Sequence, residues 1–276
     1  MQIGNKNFTL RNITLDTEAT PNAVRSVYRA VNILLCLSNG INTLNDVTSH
    51  TKLSKPTVYR LLKTLEELFM VTQDPLTHQY HLGPLVNQIA ANPVTNHQYL
   101  ITCAFQELRQ LWDYFGETVE LNIMVGLQYI RLYEITSKFD LKVEAGPDPV
   151  GPVFVGATAR VLLSQLDDAD LKAALRYINI HPTTSHSIVE RKDLITQSIE
   201  IREAGYAKSC GERIEGAQCI SAPVRNYFWP VALSLVGPES RMKTLEQDAI
   251  SRVKDSATRI TSNIEEFFRA KGVIAE

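Results

Sequence analysis

Cysteine is scarce in this chain, and what there is has no shared spacing. Cys36, Cys103, Cys210 and Cys219 form no CxxC pair and no metal-ligand pattern within the 276 residues. That argues against a disulfide framework and a structural metal, and the thiols read as those of a reduced, cytoplasmic protein. An excess of charge of one sign is also missing. With 28 Lys+Arg against 30 Asp+Glu, the net charge is −2, so any surface for a polyanion has to be local. Long apolar runs are absent too. A stretch such as "VNILLCL" at 31–37 is far short of a membrane span, and no membrane partner is expected. The opening "MQIGNKNFTLRNITLDTEATPN" has no basic-then-apolar pattern and reads as a disordered lead-in over 1–22. Neither internal repeats nor low-complexity tracts are found.

What is present is ample core material. Hydrophobic residues make up 44% and charged residues 21%, ordinary values for a globular protein, and the length suits two domains. From Ser26 to about Ser38, "SVYRAVNILLCLS" puts Val27, Val31, Leu34 and Leu35 on one helical face, stopped by Asn39-Gly40. "TLNDVTSHT" at 43–51 opens on a threonine N-cap and carries Leu44 and Val47 inward. Next comes "LSKPTVYRLLKTLEELFMV" at 53–71. Ser54 is a good N-cap there, and Pro56 sits in the first turn, where a missing N–H is harmless. Val58, Leu61, Leu62, Leu65 and Leu68 form the expected buried stripe. Pro56, Arg60, Lys63 and Glu67 lie opposite, with Lys55 and Tyr59 on one shoulder and Thr57 on the other.

"MVTQDPLTHQYHLG" then reads as strand, turn, strand, with Asp74-Pro75 forming the turn. Three short helices and a hairpin make a winged helix-turn-helix over residues 23–83. Residues 84–116 read as linker and helix, broken near Asn92-Pro93, with Leu100, Cys103 or Ala104, Leu108, Leu111 and Phe115 on one face. Residues 117–276 then mix strands and helices without strict alternation, an α+β sensor-type domain. Expected there are a hairpin around Gly126, a short strand before a helix starting at Gly156-Ala157, and a long helix ended by Gly205. Two strands joined at 226–229 and a final amphipathic helix complete the list.

The ordered motifs "VRSVYRAVNILLCLS", "LSKPTVYRLLKTLEELFMV", "YHLGP", "GETVELNIMVG", "GPVFVGATARVLL", "EAGYA", "AQCISAPVRN" and "VALSLVGP" resemble the IclR family of bacterial transcriptional regulators. The likeness spans about 23–268. It implies an N-terminal winged helix-turn-helix on double-stranded operator DNA. It also implies a linker helix, a C-terminal GAF-like effector domain, and assembly as homodimer or tetramer. Repression is the expected sense of control.

On this footing, the helix at 55–67 enters the major groove with its N-terminal residues at base edges. Lys55 and Arg60 reach guanine acceptors or phosphates, and Thr57 and Tyr59 meet phosphate oxygens or a thymine methyl. Arg25, His78 and Gln79 are expected on the backbone or minor groove. Between residues 22 and 83 there are six Lys/Arg and four Asp/Glu, a net of +2. That is a weak footprint, which favours a dimer reading two half-sites.

In relatives the helix start in "VFVGATAR" binds the carboxylate of small organic acids, which the resemblance carries to Gly156 and Ala157. Free N–H groups at a helix start suit an anion, and Arg160 lies one turn on. Cys219 and Ser234 match family pocket positions. Ser209 stands where many relatives carry an acid, Val236 where they carry a second serine, and Phe154 where they carry histidine. These departures imply a small carboxylate effector with an apolar or aromatic part. It would shift the populations of dimer geometries through the helices of 85–116. Two readings from other classes stay open: a protein-binding adaptor without DNA, and a hydrolase using Cys219 or Ser234 with His181 or His186. No catalytic residue, metal site or cofactor is expected.

Overall fold

The computed structural model describes residues 24–91, 96–144, 146–188 and 190–270. The lead-in over 1–22 and the break at Asn92-Pro93 lie outside the described residues. The chain divides into two compact units, with the boundary between Asn96 and His97.

In the first unit, helices α1 (Arg25–Ser38), α2 (Leu44–Thr51) and α3 (Lys55–Glu67) precede a two-stranded antiparallel hairpin, β1 (Val71–Gln73) and β2 (Tyr80–Leu82). Helix α4 (Pro84–Ile89) follows. The Thr43 hydroxyl accepts the Asp46 N–H and caps α2. Ser54 occupies the N-cap position of α3, but its hydroxyl bonds the Thr57 hydroxyl at 2.8 Å instead of a backbone N–H. The core joins Ile33, Cys36 and Leu37 of α1 to Val47, Val58, Leu62, Leu65, Val71 and Tyr80. Two expectations fail here. The buried face of α1 is not the one drawn through Val27 and Val31. Val27 is 58% exposed, and Ile33, Cys36 and Leu37 face inward instead. Leu68 leaves the α3 stripe, because it is the C-cap residue and is 53% exposed.

The second unit begins with α5 (Gln98–Phe115), a helix the sequence put in the linker; its apolar face belongs to the core of this unit. A six-stranded antiparallel sheet runs in the order β5-β4-β3-β8-β7-β6. Its strands are β3 (Thr118–Val125), β4 (Gln128–Ile135), β5 (Val150–Pro152), β6 (Ala207–Cys210), β7 (Ala217–Val224) and β8 (Val231–Pro238). Helices α6 (Gly156–Ser164), α7 (Asp168–Tyr177) and α8 (Arg191–Ala204) separate β5 from β6. After β8 come α9 (Glu239–Met242), a 3-10 turn (Lys243–Leu245) and α10 (Glu246–Ala270), so the single final helix expected is broken near its start. Strand β6 went unforeseen.

The sheet is covered on both faces, giving three layers. Helices α5 and α10 pack on one face against Val119, Leu121, Ile123, Leu233 and Leu235. Helices α6, α7 and α8 form the other core with Met124, Tyr129 and Ala232. Because side chains alternate along a strand, the residues between the aliphatic ones face the α6 side. On β3 these are Glu120 and Asn122, on β8 Ser234, and on β7 Cys219 and Ser221, placed opposite one another by the registers Glu120↔Ser234 and Ser221↔Ser234. So β3, β7 and β8 are buried along most of their length yet sorted by polarity. That sorting builds the site.

Candidate functional site

Two surfaces concentrate the chemistry, one in each unit. In the first, the turn Lys52–Ser54 joins α2 to α3 in a helix-turn-helix. Burying Val58, Leu62 and Leu65 turns the N-terminal half of α3 outward. Lys55 and Arg60 are exposed and Tyr59 is 47% exposed. Lys63, on the same face, is drawn into an ion pair with Glu66 at 2.6 Å, which leaves Lys55 and Arg60 as the outward cations of this helix. Arg25 is exposed at the start of α1. His78 is exposed at the tip of the hairpin, in the left-handed region at φ 56°. Two of the expected contact residues are engaged internally: Thr57 with Ser54, and Gln79, whose side-chain carbonyl accepts from Asn42 Nδ2 at 3.2 Å. Lys52, exposed in the turn itself and at φ 54°, was not singled out. Its place directly ahead of the recognition helix was the signal available.

In the second unit a cavity of about 510 Å³, including its part open to solvent, lies between the start of α6 and the polar face of the sheet. Gly156 and Ala157 line it together with Ser209 and Cys219. Gly156 takes φ +87°, a backbone shape that a side chain disfavours. Gly151 serves the cavity differently, since a Cβ there would collide with the Tyr129 ring.

The helix start is not open, contrary to expectation. The Gly156 N–H donates to Glu212 Oε2 at 3.3 Å and the Ala157 N–H to Ser209 Oγ at 3.0 Å. All of α6 is buried, and buried N–H groups have to find partners within the fold. Arg160 is likewise committed: its Nη1 donates to Glu212 Oε2 at 2.5 Å and its Nη2 to the Lys208 carbonyl at 2.6 Å. Glu212 is held in place from behind. The Thr184 hydroxyl donates to the Gly211 carbonyl and the Ser187 hydroxyl to that of Glu212, each at 2.7 Å.

Phe154 and Ser234 stand off the cavity wall. Phe154 is buried edge-on to His181, with ring centroids 5.0 Å apart. The fully buried Ser234 hydroxyl bonds those of Thr158 and Ser221, each at 2.9 Å, and so ties α6 to the sheet. Cys219 does reach the cavity, beside the Thr158 hydroxyl at 3.6 Å, and burial pushes its thiol up to about 12.

The residues that sequence reasoning missed are Glu120, Tyr129, Glu212 and Arg213, all lining the cavity. Glu120 accepts from Asn122 Nδ2 at 3.2 Å and lies 3.9 Å from Arg131. Burial nevertheless holds its carboxyl above the usual range. The Arg213 guanidinium donates to the Tyr129 hydroxyl, and burial pushes that phenol up to about 12. An acid inside a mostly apolar strand, "TVELNIMV", was the one local signal for Glu120. Among the described residues no group of acids, histidines and cysteines is arranged to hold a metal, and no helix is long and apolar enough to cross a membrane.

Comparison with known proteins adds the family. Residues 26–75 match the model of the IclR helix-turn-helix domain, and 93–262 match that of the bacterial transcriptional regulator IclR C-terminal domain. The chain is 28% identical over 221 residues to the HTH-type transcriptional regulator KdgR of Dickeya chrysanthemi, covering 80% of this chain and 72% of that protein. It is 26% identical over 248 residues to the HTH-type transcriptional repressor AllR of Escherichia coli, covering 86% and 89%. A crystal structure of an IclR-family regulator from Rhodococcus superposes with a TM-score of 0.67 at 24% identity, over 88% of this chain and 95% of that one.

Proposed function

The chain belongs to the IclR family of bacterial transcriptional regulators, and from that premise we propose a repressor whose grip on its operator is set by a small organic acid in the C-terminal cavity. Members of this family are DNA-binding regulators, not a family of enzymes. The observation that carries the DNA assignment is the outward N-terminal half of α3, where Lys55, Tyr59 and Arg60 stand exposed while Val58, Leu62 and Leu65 are buried. Such a helix offers charged and aromatic donors to base edges and phosphates while its back holds it against α1 and α2. Arg25, Lys52 and His78 supply backbone contacts. A net charge of +2 over residues 22–83 is small for one head, so the working unit is a homodimer or tetramer with two heads on half-sites about one helical turn apart. The protein acts in the cytoplasm, at the nucleoid.

The cavity supports the effector half of the reading. It is partly enclosed, mostly apolar, and carries a few convergent polar groups, the usual make-up of a small-molecule site. Hydrolysis at Cys219 is disfavoured, because a thiol pushed up to about 12 by burial is protonated at neutral pH and a poor nucleophile. Ser234 spends its hydroxyl on Thr158 and Ser221 and is no better placed.

Salt titration of operator binding tests the DNA assignment. Contact with several phosphates loses roughly 10³-fold or more in affinity between about 50 and 200 mM salt. A flat curve would point to a protein-binding adaptor.

A further inference from the structure

A carboxylate accounts for one end of a small effector, and the sheet wall of the cavity bears on the other end. Two side chains of that wall, Glu120 on β3 and Tyr129 on β4, are 5% and 4% exposed, and both line the cavity. Burying a carboxyl and a phenol costs free energy unless each finds partners, yet both are only partly satisfied. Glu120 accepts from Asn122 Nδ2 through Oε2. Its Oε1 accepts no hydrogen bond among the described residues, and Arg131 Nη1 stands off at 3.9 Å. The Tyr129 hydroxyl accepts from the Arg213 guanidinium, and its own proton finds no acceptor among the described residues. Burial holds the Glu120 carboxyl above the usual range, but with its proton or without it a carboxyl keeps acceptor capacity.

Both groups are held in place by their surroundings. Tyr129 lies across from Gly151 on β5, where a Cβ would collide with its ring, and the Arg213 guanidinium packs over that ring with its carbon 5.6 Å from the centroid. The charges around the pair cancel. Arg131 pairs with Glu134 at 3.2 Å, and the Arg213 charge acts on Glu120, so two cations face two acids. A second charge on a ligand would find no excess of the opposite sign here. A hydroxyl group fits instead, because it donates one hydrogen bond and accepts others, matching the open acceptor on Glu120 and the open donor on Tyr129. Phe154, expected to make the effector's surroundings apolar, packs on His181 away from this wall.

We propose that the effector is a hydroxylated small acid whose hydroxyl is received between Glu120 and Tyr129, and that Glu120 tells it from the corresponding hydrocarbon acid. The inference rests on the reading of this cavity as the effector site. The span required is short. Glu120 is the direct partner of Ser234 in the β3–β8 register, which sets their Cβ atoms about 5 Å apart. Ser234 Oγ is in turn 2.9 Å from the Thr158 hydroxyl of α6. A hydrocarbon acid filling the same space would leave the carboxyl and the phenol unpaired away from water, and such a site discriminates strongly against the analogue that lacks the hydroxyl. Gly151 is a positioning residue, since it makes room for the Tyr129 ring.

The test is calorimetric titration of the full-length protein with propionate and butyrate, with 3-hydroxypropionate, 3-hydroxybutyrate and 4-hydroxybutyrate, and with succinate. The best hydroxy acid is expected to bind roughly 10-fold or more tightly than its hydrocarbon parent and than succinate. Glu120→Met removes both oxygens at similar length. It should weaken the hydroxy acid roughly 10- to 100-fold and leave the parent within about twofold. Tyr129→Phe keeps the ring and should cost the hydroxy acid alone roughly 2- to 10-fold. Glu120→Gln keeps an acceptor oxygen and recovers part of the loss. A merely structural role would lower both acids of a pair alike. A parent that binds as tightly as its hydroxylated form, tighter binding of succinate, or equal losses for both acids in the variants overturns the hydroxyl assignment while leaving the effector site intact. Should Glu120→Met fail to fold, Tyr129→Phe decides by the same criterion. A wild-type protein that takes up none of these acids overturns the small-acid reading and this proposal with it.

Discussion

Helices α3 and α6 both begin with groups suited to an anion, and the fold treats them in opposite ways. The start of α3 is turned out to solvent, where Lys55 and Arg60 make no ion pair among the described residues, on a helix whose other side is leucine and valine. The start of α6 is buried along its whole length, so Ser209, Glu212 and, further on, Ser234 satisfy it from within. Solvation explains the difference. A solvent-facing helix start can leave its donors to water until a polyanion displaces that water. A buried one must be satisfied before any ligand arrives. One surface therefore recognises its partner by vacancy. The other recognises by what remains after its own groups have paired.

The comparison can be broken most forcefully at the packing beneath α3. Leu62 is fully buried and Leu68 half-exposed. Leu62→Ala should therefore cost about 2–5 kcal/mol of stability, and Leu68→Ala should fall within about 0.5 kcal/mol. Separate denaturant melts of the two variants read this directly, and equal losses would return Leu68 to the stripe. Next in size is Gly156→Val. A branched residue at φ +87° carries strain of about 1–3 kcal/mol. Acid binding should be lost in calorimetry while operator binding in a gel-shift assay persists.

Arg60→Ala works the other surface, costing about 1–3 kcal/mol if Arg60 reads a base edge and leaving acid affinity unchanged. A loss of both activities in both variants would dissolve the division of labour. The smallest effect belongs to Glu120. Its carboxyl titrates above the usual range because of burial, so the folded state holds that proton more tightly than the unfolded one. The resulting stability is full at low pH and is lost as pH rises through the folded value, by about 1.4 kcal/mol for each tenfold difference in proton affinity. Glu120→Gln should flatten that decline above the usual carboxylate range in thermal melts.

Much of the architecture was legible because periodicity and turn residues agreed. In α3, apolar residues fall every third or fourth position, and only one face accommodates them. In α1 the same reasoning drew a stripe of which Leu34 packs against the core while Val27 and Val31 are exposed. Val27, Val31, Ile33, Leu34, Leu35, Cys36 and Leu37 wrap more than half the helix, and periodicity alone cannot rank two overlapping stripes. Strand β6, "AKSC", is four residues long and lies at the sheet edge, too short and too polar to show alternation. At the cavity, Gly156, Ala157, Ser209 and Cys219 were found through the family resemblance. Glu212 and Arg213 escaped because their roles depend on partners 52 and 84 positions away, a separation no local pattern reports. The expected openness of the α6 start failed for the same reason, since the acid that bonds it lies 56 positions further along the chain.

The polarity-sorted sheet has a consequence for how such a protein diversifies. Since Leu121, Ile123, Leu233 and Leu235 are committed to one layer and Glu120, Asn122, Ser221 and Ser234 to the other, alternate letters of the same strand answer to different demands. Mutation at the second set can retune chemical taste while the first set keeps the scaffold standing. Descendants of one ancestral gene could in this way acquire new metabolites without first having to reinvent a domain.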